Sequence, residues 1–112
     1  MKVKTNKLTG AALDMAVAEA SETPIYISGK TLTRMDMDGN VYWQPSTDWA
    51  QAGPIIEREK MSIAYNFDEH VWEAGWDCHV SGWGDTPLVA AMRCYVASKL
   101  GDEVEVPEEV QA

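Results

Sequence analysis

Basic side chains are scarce in this sequence: 9 lysines and arginines stand against 18 aspartates and glutamates, a formal charge of −9 at neutral pH. A surface with that balance repels phosphate backbones, which argues against direct nucleic-acid binding. The three lysines near the start, Lys2, Lys4 and Lys7, are too few to reverse it. Long apolar runs are missing too. No stretch approaches the ~20 residues that cross a bilayer. Met1-Lys2-Val3-Lys4-Thr5 has the charge of a signal peptide without the apolar stretch behind it. The expectation is a cytoplasmic protein with no membrane partner. Cysteine is limited to Cys78 and Cys94, which a cytoplasmic chain keeps as free thiols. Cys78 lies near His79, Asp68, Glu69 and His70, but without CxxC or HxxxH spacing the group does not amount to a zinc site. No metal or other cofactor is expected.

What remains is an ordinary globular composition, 46% apolar and 24% charged over 112 residues. A chain of that length supports one core, burying roughly two-thirds of the surface its unfolded form exposes. Lys2 to Thr5 alternate as an edge strand. Leu13, Ala16, Val17 and Ala20 recur at helical spacing after a Thr9 cap, with Asp14 and Glu19 on the other side, and Pro24 ends that segment. Ile25 to Ile27 form a short strand. Thr31 to Asp36 and Asn40 to Trp43 flank Asp38-Gly39, a hairpin turn signal. Ser46 to Gln51 reads as one capped helical turn broken by Gly53-Pro54, and Ile55 to Glu59 as a second helical turn or a strand. Two weaker strands run from Ile63 to Phe67 and from Val71 to Asp77.

The clearest element comes last. Asp85 or Thr86 caps a helix with Pro87 at its first position and Gly101 at its far end, and Leu88, Met92, Tyr95, Val96 and Leu100 make one apolar stripe. The segment from about 102 to 112 is acidic, and the sequence leaves open whether it is ordered or an extended, solvated tail. The fold class is α+β: a single domain, residues 1–112, with a small antiparallel sheet packed by two main helices.

Familiar catalytic motifs fail one by one. Gly29-Lys30-Thr31 lacks the upstream glycine of a phosphate-binding loop, because position 24 is Pro24. Asp36 to Asn40 resembles a calcium loop, but its glycine comes early and no glutamate closes it. There is no nucleophile elbow.

Two segments remain as candidate binding residues. Ser46, Thr47, Asp48 and Trp49 read either as a helix cap or as a ligand shelf, with an aromatic face beside hydroxyls and a carboxylate. Ser81 to Thr86 reads as a glycine-spaced loop feeding a helix start, so Trp83, Asp85 and Thr86 are either a tight capped turn or part of a ligand site. Arg93, further along that helix, either bridges to Glu57 or Asp48 or reaches a ligand phosphate. Five tryptophans are many for so small a core, and one or two are expected to line a pocket or a contact surface.

The segments Ser46 to Glu57 and Gly84 to Val104, with Lys2-Val3-Lys4 and Leu13-Asp14, resemble the NinX-type family of small lambdoid phage and prophage proteins, a domain of unknown function. The family pattern has glycine where this chain has Ala52, which counts against a flexible turn there. The resemblance implies an origin, a phage or prophage product acting inside a bacterial host, and no chemistry. The leading expectation is therefore a non-catalytic accessory protein that sequesters a nucleotide-like small molecule to counter a host process. A second copy could complete so small a pocket as a homodimer. The alternative is an acidic inhibitor or accessory factor that binds a basic host or phage protein. A third is a small nucleotide-acting enzyme using Asp48, Glu57, Asp85 or His79 as acid or base.

Overall fold

The run capped at Thr86 and closed at Gly101 forms helix α3 (Pro87–Leu100) in a computed structural model that describes residues 1–29, 31–36, 39–77 and 79–110. Thr86, not Asp85, is the cap, its hydroxyl accepting from the Val89 amide at 3.1 Å. Leu88, Met92, Tyr95 and Val96 are buried as the stripe requires, but so are Ala90, Ala91 and Cys94. A helix enclosed on that many sides must be covered by more than one neighbour.

One cover is an antiparallel sheet of β5 (Ser62–Asn66), β6 (Val71–Trp76) and β7 (His79–Gly84), in that order. β7 corrects the expectation of a glycine-spaced loop at Ser81 to Gly84. Its glycines serve packing: a Cβ on Gly82 would fall against the Ala90 carbonyl oxygen and 2.5 Å from the Cys94 amide nitrogen. At Gly84 a Cβ would come within 2.7 Å of the Val89 side chain. The missing side chains let α3 settle directly on the strand.

The other cover is α1 (Gly10–Ala20), which buries Leu13, Ala16, Val17 and Ala18. Against α1 lies a second antiparallel sheet, β2 (Ile25–Ser28), β3 (Thr31–Asp36) and β4 (Gly39–Tyr42), with Leu32 and Trp43 facing the core. The β3–β4 hairpin forms where the turn signal placed it, while Asp38 itself lies outside the described residues.

After a tight turn comes α2 (Trp49–Glu59), which corrects the reading of a single turn broken at Gly53-Pro54. Asp48 caps α2, accepting from the Ala50 amide at 2.9 Å. Lys60 ends it in the left-handed conformation, and Ala52 and Ile55 anchor it in the core. Pro54 sits inside the helix with its ring in solvent. The residue before a proline is kept from helical geometry partly by its own Cβ, and Gly53 has none. Ala52 is buried mid-helix and favours the helix.

The acidic C-terminal segment, whose order the sequence left open, is docked through residue 110. β8 (Glu103–Glu105) pairs antiparallel with β1 (Lys2–Lys4), setting Lys2 opposite Glu105 and Lys4 opposite Glu103. Such cross-strand opposite charges favour this register. Val104, Val106 and Val110 point into the core, and Thr5 donates to the Gly101 carbonyl at 2.6 Å. The class is α+β. Among the described residues the strands fall into three small antiparallel sheets, not one, and three helices pack them, not two.

Replacing Gly82 tests the close approach. Gly82→Ala forces α3 off β7 and is expected to lower the unfolding free energy by about 2–3 kcal/mol, the upper range for overpacking a well-filled interior. Urea denaturation followed by tryptophan fluorescence measures it.

Candidate functional site

Asp14 is the one acidic residue in a helix segment otherwise made of alanines, Leu13, Met15 and Val17, and it is only 5% exposed. An ionised carboxyl in such a place needs donors. The turn at 44–47 supplies them. The Ser46 amide donates to Asp14 Oδ1 at 2.7 Å, and the Ser46 side chain adds a second hydrogen bond. One peptide away, the Trp43 indole N–H donates to the Asp14 backbone carbonyl at 2.8 Å. Burial nevertheless wins, and the carboxyl is pushed up from 3.8 to about 6.

This junction floors a cleft of about 530 Å³ whose polar lining is Asp14, Thr31, Tyr42, Gln44, Ser46 and Thr47. Tyr42 and Gln44 also line a second cavity of about 510 Å³, together with Arg34, Asp48 and Gln51. The Arg34 guanidinium lies 5.6 Å from the centre of the Trp43 ring, a cation–π contact. Gln51 reaches back from α2 and spans the strand end, donating to the Tyr42 carbonyl at 2.6 Å and accepting from the Gln44 amide at 2.7 Å. The two cavities thus share one wall held by hydrogen bonds at both ends.

Of the residues singled out in the sequence, the structure brings together Ser46, Thr47 and Asp48, the first two in one cavity and the third in the next. Trp49 follows them, 56% exposed, and lines neither. Glu57 is exposed towards the other end of α2.

Trp83, Asp85, Thr86 and Arg93 form a separate group that lines neither cavity. Arg93 bridges to neither Glu57 nor Asp48. It donates to the Leu8 carbonyl at 2.9 Å and the Trp83 carbonyl at 2.7 Å, tying α3 to the segment before α1 and to β7. Burial lowers its pKa, and the Asp85 charge works the other way. The Cys78 part of the imagined zinc site lies outside the described residues. Among the described residues no group of three or more His, Cys, Asp or Glu side chains could hold a metal ion.

The helical spacing put Asp14 on the side away from the apolar stripe, and the structure corrects this by burying it, while Tyr42, Gln44, Arg34 and Gln51 were passed over. A signal existed for Asp14 alone. A lone carboxylate flanked by apolar residues at every helical neighbour has no wet face to occupy. The others needed the pairing of β3 with β4 and the full length of α2.

The raised Asp14 carboxyl has a consequence for stability. The folded protein takes up this proton near pH 6 and the unfolded chain near 3.8, so the folded state binds more protons between those values. Stability therefore falls as the pH rises through that interval, by about 2 kcal/mol from this group. Asp14→Asn keeps an acceptor for the Ser46 amide and carries no charge. Its stability relative to the parent is expected to rise by that amount between pH 4 and pH 7.5, as urea titrations at the two pH values would measure.

Among the described residues no helix is long and apolar enough to cross a membrane. A comparison with curated proteins finds none that matches the chain. The family model described as "Bacteriophage P22, NinX" matches residues 4–99, which include α1, the turn at 44–47, α2 and all but the last residue of α3. The chain belongs to the bacteriophage P22 NinX family.

Proposed function

We propose that this phage-family protein works by non-catalytic binding in the cytoplasm of the bacterial host, holding a small nucleotide-like molecule in the paired cavities and so countering a host process. The observation that supports this reading is the shared wall of Tyr42 and Gln44 between two open cavities of about 530 and 510 Å³. Each is in the size range of small-molecule sites, and each has a few polar groups of differing character set beside an aromatic ring. Both are open to solvent, and a second copy of the chain would close them.

Nothing in the arrangement favours catalysis. Asp14 has Ser46 as its partner, Asp48 caps α2, and Glu57, Asp85 and His79 lie on other elements.

One observation favours a second reading, an acidic surface that engages a basic host or phage protein. Phe67 is 77% exposed at the tip of the β5–β6 hairpin, beside Asp68 and Glu69. An apolar anchor with a charged rim is a contact geometry of protein partners. That reading requires binding that weakens steeply with salt.

Mass spectrometry of small molecules released on denaturing protein purified from bacteria tests the first reading. A bound molecule is expected in near-stoichiometric amount. Added back at about 100 times its Kd, it stabilises the protein by about 2.7 kcal/mol, roughly 10 °C in a chain of this size. Tyr42→Ala and Thr47→Val, both at exposed positions, are expected to remove most of that shift. Arg93→Ala is a poor probe, since it frees two carbonyls that hold the fold together. Absence of any released molecule, with no shift from nucleotides, would move the assignment to the acidic surface.

A further inference from the structure

The outer strand β5 has β6 as its one strand neighbour among the described residues. An outer strand leaves a row of backbone N–H and C=O groups open to another strand, and proteins guard it with charge, proline or a covering group. The opposite edge of this sheet is guarded. Asn6 accepts from the Trp83 amide at 3.1 Å and donates to the Ser81 carbonyl at 3.4 Å, standing in for a further strand. In the other three-stranded sheet, β2 is short and follows Pro24. β5 has neither charge nor proline in its sequence Ser62-Ile63-Ala64-Tyr65-Asn66.

Read from Lys60 to Asp68, the chain is also complementary to its own reverse about Ala64. In an antiparallel pair of copies, Ile63 meets Tyr65 and Ser62 meets Asn66 within the strand. Beyond it, Met61 comes to Phe67 and Lys60 to Asp68. Apolar falls on apolar, polar on polar, and cation on anion, the pairs that favour a register. The faces agree as well. Ile63 and Tyr65, opposite Ala74 and Trp72 on β6, are half-buried, while Ser62 and Ala64 are exposed. A two-fold axis perpendicular to the sheet keeps each face with itself, so the apolar pairs stay on one side and the small and polar ones on the other. Centring on Ile63 leaves Tyr65 and Asn66 without strand partners, and centring on Tyr65 leaves Ser62 and Ile63.

Two features left over by the single chain fit this pairing. Phe67 is 77% exposed, with its ring 4.9 Å from that of Tyr65, the residue set against the other copy's Ile63. Lys60 and Asp68 are exposed, and among the described residues neither makes an ion pair within the chain. We infer that β5 pairs antiparallel with β5 of a second copy, centred on Ala64, joining two three-stranded sheets into one. No residue of β5 lines either large cavity, so this pairing does not rest on the ligand reading and the two fail separately.

A pairing this small is at the low end of specific interfaces, below about 1,200 Å², so self-association in the micromolar range is expected. Sedimentation equilibrium should show the 12.4 kDa chain passing to twice that mass as concentration rises. Ala64→Lys, at an exposed position opposite Glu73, keeps an intramolecular partner but sets like charges across the axis. It should weaken the dimer at least about tenfold and leave the circular dichroism of the monomer unchanged. Lys60→Glu should weaken it about fivefold at low salt, and adding Asp68→Lys should bring it back to within about twofold. Ala64→Cys should crosslink to itself on oxidation, since directly opposed Cα atoms are about 4.5–5.5 Å apart. Ser62→Cys should not, its two copies being roughly 14 Å apart.

A chain that stays monomeric at millimolar concentration overturns the inference. So does a dimer unaffected by Ala64→Lys, a charge reversal that Asp68→Lys fails to repair, or crosslinking as strong through Ser62→Cys as through Ala64→Cys.

Discussion

A carboxyl group in an apolar interior is tolerated only where donors meet it, and the meeting of Asp14 with Ser46 is the constraint around which this half of the molecule is built. The two hydrogen bonds from Ser46 and the Trp43 indole contact arrive at one residue of α1 from one short stretch of chain. Together they fix where β4 ends, the path of the turn at 44–47 and the start of α2. Asp48 can then cap α2, and Gln51 can reach back to the end of β4. The first cavity is what is left between α1, the sheet and that turn, and the second what is left between the sheet and the start of α2. They are a consequence of where the polar groups had to go.

The other half follows a different rule. Here the fit is steric, between a helix surfaced with alanine and cysteine and a strand with glycine at alternate positions. Gly82 and Gly84 face Val89, Ala90 and Cys94, so α3 lies against the strand's backbone. Arg93 then closes the seam by donating to carbonyls on both sides. An arginine buried this far is disfavoured by desolvation, as its lowered pKa records. Holding two backbone carbonyls is work that an aliphatic residue could not do. The same side chain read in isolation suggested a phosphate ligand, because arginine serves both purposes with the same donors.

What could be read in advance depended on how local its cause was. Helix α3 was legible because cap, proline, stripe and closing glycine all fall within one stretch, and the β3–β4 hairpin because a turn signal sits between two β-rich runs. The strand β7 was not, because its glycines are explained by a helix that comes after them, and without that helix they resemble a loop. Helix α2 was misjudged at Pro54 because one part of proline's conflict with a helix, the clash with the preceding residue's Cβ, is missing at Gly53. The docking of the acidic segment was hidden for a further reason: its partner strand is at the opposite end of the chain. At the candidate site, Ser46, Thr47 and Asp48 were legible as polar residues at a helix start. Arg34 and Tyr42 come to the same wall only through strand pairing, which no spacing rule announces.

The extent of the family match bears on which of these features belong together. It spans residues 4–99, and the residues that line the paired cavities run from Gly10 to Gln51, wholly inside it. The strand pair β1–β8 straddles its edges, since β1 reaches back to Lys2 and β8 begins at Glu103. The cavity walls and the α3–β7 seam therefore lie in the part of the chain that the family description covers, while the clasp between the two ends lies largely outside it. A binding function built into the first part would need the second only to hold α1 in place. In this chain that support runs through Thr5, whose amide and hydroxyl both bond the Gly101–Asp102 backbone just ahead of Leu8 and the start of α1.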